Sequence, residues 1–292
     1  MLKSVIREIV DSRVPWLGNI YREIRDERLL SKPARPTPYG FSLVGAAYML
    51  ADDRESEEMA VFLKHLERST VCVDIGANIG VYSCLAASRS KRLLAIEPSR
   101  SNLRTLYKNL TVNNFWEVEV FPLGLGSAPG LQKLYGVSDT SSFVEGWGDA
   151  TLSSWSVVPV TTLDNLVTDR FRGARLLIKM DVEGFEYNVL LGALKTLRME
   201  PSPVWLVEIF PGRHSKRNGT IVINDKFRET FAVFKDNGYD VFRASPGQEP
   251  LSTDDIDILA RDLERKTIPS FNFLFMRKIY AAEAQLYNEF DA

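Results

Sequence analysis

The chain has 292 residues, 45% of them hydrophobic, enough to bury one large α/β core with additions or at most two small domains. Its 36 basic and 38 acidic residues nearly cancel, which excludes a global field of the kind that holds nucleic acid and leaves only local patches. No apolar run approaches the roughly 20 residues of a membrane span and the N-terminus lacks a signal peptide's apolar core, so a cytoplasmic protein is expected. The two cysteines, Cys72 and Cys84, have neither metal-ligand spacing nor a disulfide framework and read as reduced core thiols.

In chain order, Val5, Ile6, Ile9, Val10, Leu17, Ile20, Tyr21 and Ile24 recur at helical spacing among charges, with Pro15 interrupting. This predicts an N-terminal helical hairpin packed on the body or on a second subunit, so any homo-oligomer would form through it. Residues 31–38 are a proline-rich connector that cannot be helical, closing an N-terminal extension over 1–38; residues 39–292 read as one domain. Strands are predicted at 71–75, 92–97, 118–123, 176–181, 204–209, 239–243 and 272–276, and helices at about 79–88, 99–113, 184–197 and 226–237. The alternation predicts an α/β fold with a doubly wound, mostly parallel sheet of seven strands. The first four are apolar without strict alternation, as strands covered on both faces must be. Residues 126–166 break the rhythm with Gly, Ser, Thr and Trp, and a hairpin is expected near 157–160. A β-rich insertion of this kind commonly shapes a substrate site.

The most informative stretch is Val73-Asp74-Ile75-Gly76-Ala77-Asn78-Ile79-Gly80, followed by a helix and then Ala95-Ile96-Glu97-Pro98. A strand that turns through small residues into a helix leaves backbone N–H groups free to face a ligand. Gly76 and Gly80 permit the sharp turn, and Asn78 is the non-glycine residue that best tolerates a left-handed conformation. Glu97 ends the next strand, close to the roughly 20-residue interval at which a carboxylate reaches the hydroxyls of a ribose. Asp74 decides the nucleoside: an anionic pyrophosphate would be repelled, whereas the ammonium and sulfonium of S-adenosylmethionine welcome an acid.

A second constellation ends the fourth strand, Lys179-Met180-Asp181-Val182-Glu183-Gly184-Phe185-Glu186, and the fifth ends in Glu208 and runs on to Arg213 and His214. Ligands of open α/β sheets bind at the carboxyl ends of strands, so Asp181, Glu208 and His214 are the candidate catalytic bases. Glu183 is read as catalytic or as a cap of the following helix, and Glu186 as a solvated or capping residue. No ligand spacing points to a metal, and none is expected, although Asp181, Glu183 and Glu208 are the acids a metal-assisted variant would use. The 126–166 insertion, with Trp147 or Trp155 offering a flat face, and the Arg213–Arg217 loop are expected to form an acceptor pocket; the basic cluster suggests an acidic or phosphorylated acceptor.

These motifs, together with Thr161-Thr-Leu-Asp164, Leu190 with Gly192-Ala193, and Val207-Glu208, resemble in order the FkbM-type S-adenosylmethionine-dependent methyltransferases, from about Tyr39 to Met276. The resemblance implies a class I methyltransferase (Rossmann-like) fold and O-methylation of a sugar, glycan or related small metabolite. It implies Asp74, Gly76, Ala77, Asn78 and Gly80 as the methionine-side loop, Glu97 with Pro98 and Asn102 as the ribose side, and Asp181 with Glu183 as the active-site edge. The competing readings are an RNA methyltransferase, using Arg213, Lys216 and Arg217 on phosphates, and a non-catalytic nucleoside-binding module. Near-neutral composition and the paired acids Asp74 and Glu97 weigh against them, and no nucleic-acid partner is expected.

Overall fold

Runs of β-branched and leucine side chains form the centre of the molecule. A computed structural model describes residues 15–45, 53–136, 141–148, 155–214, 220–245, 250–263 and 270–277. Its main sheet contains β1 (Val71–Ile75), β2 (Arg92–Ile96), β3 (Glu119–Phe121), β4 (Leu176–Met180), β5 (Val204–Glu208), β6 (Tyr239–Arg243) and β7 (Asn272–Arg277), in the order β6-β7-β5-β4-β1-β2-β3. β7 is antiparallel to both neighbours; the remaining pairs are parallel. The chain order reverses between β1 and β4, and the carboxyl ends on either side of that point leave a crevice for a ligand. Every residue of β1 and β4 is buried, which explains why both are apolar apart from Asp74 and Lys179.

Eight helices among the described residues cover the sheet: α1 (Pro15–Leu30), α2 (Asp53–Arg68), α3 (Val81–Ser88), α4 (Arg100–Val112), α5 (Leu163–Val167), α6 (Glu186–Leu191), α7 (Phe227–Asp236) and α8 (Thr253–Arg261). Alternation along each strand splits the core in two. Cys72, Leu93, Leu177 and Leu206 share one half with Phe62 of α2, Leu85 of α3 and Leu106 of α4. Val73, Ile178, Trp205 and Phe275 share the other with Leu163, Val189, Phe234 and Leu259. Phe234 stacks on Phe275 with ring centroids 3.7 Å apart, and each such buried ring or leucine contributes about 1.5–3 kcal/mol. Cys72 and Cys84 are buried free thiols whose pKa burial raises.

Three features differ from the sequence expectation. Pro15 opens α1 instead of interrupting it, because its fixed φ suits a first turn; the first half of the expected hairpin lies outside the described residues. Ser101 donates to Asp26 at 2.6 Å, and Arg100 and Arg104 of α4 pair with Glu23 at 3.0 Å each, so α1 lies against α4. The helix expected at 184–197 is only α6, followed at Thr196–Arg198 by a 3-10 turn. A Cβ on Gly192 would stand 2.1 Å from the Gly126 carbonyl oxygen, and the Asp164 carboxylate accepts from the Lys195 and Thr196 N–H groups, so the chain turns there. The hairpin expected near 157–160 is the antiparallel pair Gly130–Tyr135 and Trp155–Thr161, but it belongs to a three-stranded sheet, with Gly124–Leu125 on the other side of Trp155–Thr161. No helix among the described residues is long and apolar enough to cross a membrane.

Candidate active site

The loop after β1 is built around backbone that side chains cannot enter. Gly76 has φ +78°, and a Cβ there would lie 1.8 Å from the Asp181 carbonyl oxygen; Gly80 has φ +91°, with Leu106 Cδ1 2.4 Å from its virtual Cβ. Asn78, between them, has φ +51°, as its tolerance of that region requires. Gly76→Ala is expected to cost more than about 3 kcal/mol, since it adds steric overlap with backbone to a strained φ; urea denaturation measures it, and near-wild-type stability would contradict the contact.

Glu97 follows β2 and is 3% exposed. One carboxylate oxygen accepts from the Asn78 N–H at 2.8 Å. The other accepts from the Ser99 N–H at 2.7 Å and from Asn102 Nδ2 at 3.3 Å. The first oxygen keeps a second lone pair for a ligand, and at the second a ligand hydroxyl would take the place of the long 3.3 Å bond from Asn102. Burial raises its pKa to about 7 against these hydrogen bonds. Asp74 is turned inward: Ser83 Oγ of α3 donates to it at 2.5 Å, and burial raises it to about 6.

Gly76, Asn78, Glu97, Pro98, Asn102, Asp181 and Glu183 line one open cleft of about 560 Å³, counting the solvent at its mouth. Ile75, Ile96, Leu125, Leu134, Phe143 and Val182 supply apolar walls. Asp74, Ala77 and Gly80 support the loop from behind and are not among the lining residues. Asp181 follows β4, and its N–H donates to the Ile75 carbonyl at 2.9 Å. Met180 lies beside Val207 in the sheet, so Asp181 and Glu208 emerge side by side. Burial, and then the charge of the neighbouring Asp181, hold the Glu208 carboxyl well above its ordinary pKa. His214 is exposed. It follows Arg213 on the ribbon strand Gly212–His214; Arg213 turns to Glu183, and the alternation of a strand sends the His214 side chain to the opposite side.

Glu183 is not at a helix start: it has φ +51°, and α6 begins three residues later. Its carboxylate accepts from Trp147 Nε1 at 2.9 Å and from Arg213 at 3.2 Å, while its carbonyl accepts from Ser142 Oγ at 2.7 Å. Trp147, 2% exposed, lies against Gly184, whose virtual Cβ would stand 2.9 Å from the indole. It locks the insertion to the sheet and offers no open face to a sugar; Trp155 is exposed, with Lys133 4.7 Å from its ring centre. Glu186 caps, as one reading had it, by accepting from the Gly184 N–H, but it is buried, not solvated, and burial raises its pKa to about 8. Sequence reasoning passed over Ser142 and Phe143, which reach the cleft from an irregular stretch without a motif. It also passed over Lys179, although a lysine inside a fully buried strand is a signal.

The model of the methyltransferase FkbM domain matches residues 74–241. The chain belongs to the FkbM methyltransferase family. A hexuronic acid methyltransferase from Haloferax volcanii is 27% identical over 200 residues, covering 67% of this chain and 80% of that protein. Among solved structures, the FkbM methyltransferase from Methylobacillus flagellatus is 24% identical over 48% of this chain, with a TM-score of 0.34; the match spans 32% of that protein. A precorrin-6y C5,15-methyltransferase from Geobacter metallireducens is 14% identical over 80% of this chain and 95% of its own, with a TM-score of 0.41.

This FkbM domain has the class I methyltransferase fold, and S-adenosylmethionine is its cofactor. The residues present fit it. Glu97 would accept from the ribose hydroxyls and the apolar walls would take the adenine; Gly76 leaves room at the turn, and Asn78 Oδ1 is buried without a partner at the cleft. A carboxyl held near 7 accepts two hydroxyl protons only when ionised. Cofactor affinity should therefore rise from pH 6 to 8, with proton release that calorimetry in buffers of different ionisation enthalpy detects. Stability of the cofactor-free protein should move the other way. Asp74 near 6, Glu97 near 7 and Glu186 near 8 retain protons that the unfolded chain has lost, so stability falls as pH rises from about 4 to 8. A melting temperature that climbs over this window would contradict the assignment.

Proposed function

We propose that this methyltransferase transfers the methyl group of S-adenosylmethionine to a hydroxyl oxygen of a sugar, a glycan or a related small acceptor. The observation that carries the reading is the pairing of Asp181 with Glu208 at the carboxyl ends of adjacent central strands, with Asp181 in the same cleft as Glu97. When bound, S-adenosylmethionine would supply an already activated methyl group. What remains for the chain is to orient a hydroxyl and receive its proton. Asp181 is the group that does so, with Glu208 beside it on the next strand. Glu183, holding Trp147 and Arg213, keeps the insertion and the ribbon over the cleft, and Arg213, stacked 4.6 Å from the Phe210 ring centre, supplies a cation at its edge. His214, exposed and on the other side of its strand, ranks behind both acids.

The name of the Haloferax relative supports a sugar acid as the acceptor class, and Arg213 suits its carboxylate. The test is transfer of labelled methyl from S-adenosylmethionine to a panel of neutral sugars, uronic acids, glycan fragments and RNA. Label in a sugar that survives alkaline hydrolysis marks an ether on a hydroxyl. Base-labile label would mean a carboxyl ester, and label in RNA alone would overturn the acceptor class.

A further inference from the structure

The buried lysine of β4 has a partner that neither the cleft nor the family match includes. Asp74 of β1 lies beside Lys179 of β4, and Lys179 beside Leu206 of β5; Glu208 lies opposite Asn272 of β7. Alternate residues of a strand share a face, so Asp74, Lys179, Asp181, Glu208 and Asn272 belong to one face of the sheet, at its carboxyl end. Lys179 is 3% exposed. Its ammonium pairs with Glu58 of α2 at 3.0 Å and donates to Asn272 Oδ1 at 3.1 Å. Tyr82 of α3, its ring centre 5.0 Å from the ammonium, donates its hydroxyl to the same Glu58 carboxylate. A buried ammonium is costly unless opposite charge surrounds it. Here burial works against its charge, but Glu58, with Asp181 and Glu208, outweighs burial and holds the ammonium protonated.

We propose that Glu58 is a positioning residue for methyl transfer: by pinning the Lys179 ammonium beside the ends of β4 and β5, it fixes where the buried cation stands relative to the Asp181 and Glu208 carboxyls. This rests on reading those two acids as the acceptor side of the site. Without Glu58 the ammonium is free to swing to the Asp181–Glu208 pair, favouring its ionised form and holding it away from the acceptor. Without Lys179 the Glu208 carboxyl keeps its proton to higher pH, since Asp181 and Glu183 face it with negative charge. The two substitutions therefore move the pair in opposite directions, which a purely structural role does not require.

The experiment compares Glu58→Gln and Lys179→Met with the wild type in three readouts. The first is the pH profile of turnover, whose acid limb should shift down by about half a unit or more in Glu58→Gln and up in Lys179→Met, with a roughly tenfold loss at the optimum for each. The second is the protonated-carboxyl band in infrared spectra of the cofactor-free protein, assigned by its loss in Glu208→Gln, which should titrate in the same two directions. The third is S-adenosylmethionine affinity at fixed pH, expected within about threefold of wild type because Glu97 and the loop are untouched. Lower thermal stability with an unmoved limb and an unmoved band would reduce Glu58 to a structural ion pair and overturn the proposal. Should Glu58→Gln fail to fold, Glu58→Asp keeps the charge and shortens the arm; unchanged turnover in that variant overturns the proposal equally. The infrared band separates the two readings: a shifted band with a fully active Asp181→Asn variant sinks the catalytic reading alone, and an unmoved band with an inactive Asp181→Asn sinks the coupling alone.

Discussion

Replacing Glu97 by alanine is expected to weaken S-adenosylmethionine binding at least about tenfold, the equivalent of roughly 1.5–3 kcal/mol for a lost pair of hydrogen bonds to a charged acceptor. Calorimetry at pH 8 reads the effect most cleanly, because the carboxyl, held near 7 in the free protein, is then ionised. The side chain removed also serves the Asn78 and Ser99 N–H groups, so the loop should loosen. A melting curve of the cofactor-free variant separates this from unfolding. It need not be less stable than wild type, since a buried acid that resists ionisation is itself a burden above neutrality. Unchanged affinity in a folded variant would remove Glu97 from the ribose site.

Asp181→Asn is expected to lower turnover by roughly 10²–10⁴ while leaving cofactor affinity within a few fold, the pattern of a lost general base. Asparagine keeps the size and the polar contacts but has no basicity. The alternative role for an acid here is to cap the following helix, and the geometry gives that task to others: α6 has Phe185 at its N-cap position, and it is Glu186 that accepts from the Gly184 N–H. Near-normal turnover with the true acceptor would therefore leave Asp181 without a catalytic role and move Glu208 to the head of the candidates. The cofactor-free variant should also lose part of what raises Glu208, since the Asp181 charge is a cause of that shift.

Much of this was legible in the residues because the central strands are short, apolar and covered on both faces, and their ends carry the acids. The bounds read for β1 and β6 agree with the structure, and those of the other strands differ by one or two residues. The cleft likewise follows from glycine spacing and the positions of Asp181 and Glu97. What was not legible depends on contacts distant in sequence. Glu183 looks like a helix cap until Trp147, 36 residues earlier, and Arg213, 30 residues later, are seen to hold it. Trp147 looks available to a ligand until Gly184 is seen beneath it. Asp74 looks free to face the cofactor until Ser83 is seen to hold its carboxylate in the core. Glu58 carries no motif at all, and only the packing of α2 on the sheet brings it to Lys179.

The contact between Gly76 and the Asp181 carbonyl has a consequence for anyone who would redesign this enzyme for another acceptor. The glycine loop and Asp181, the residues proposed to hold the donor and to meet the acceptor, abut through bare backbone, joined again by the Asp181 N–H to Ile75, so neither can be re-sculpted while the other stays put. Freedom lies elsewhere. The outer face of the ribbon formed by Gly130–Tyr135 and Trp155–Thr161 presents Leu131, Trp155 and Val157 to solvent, and grafted or shuffled sequence there would leave that hard joint untouched.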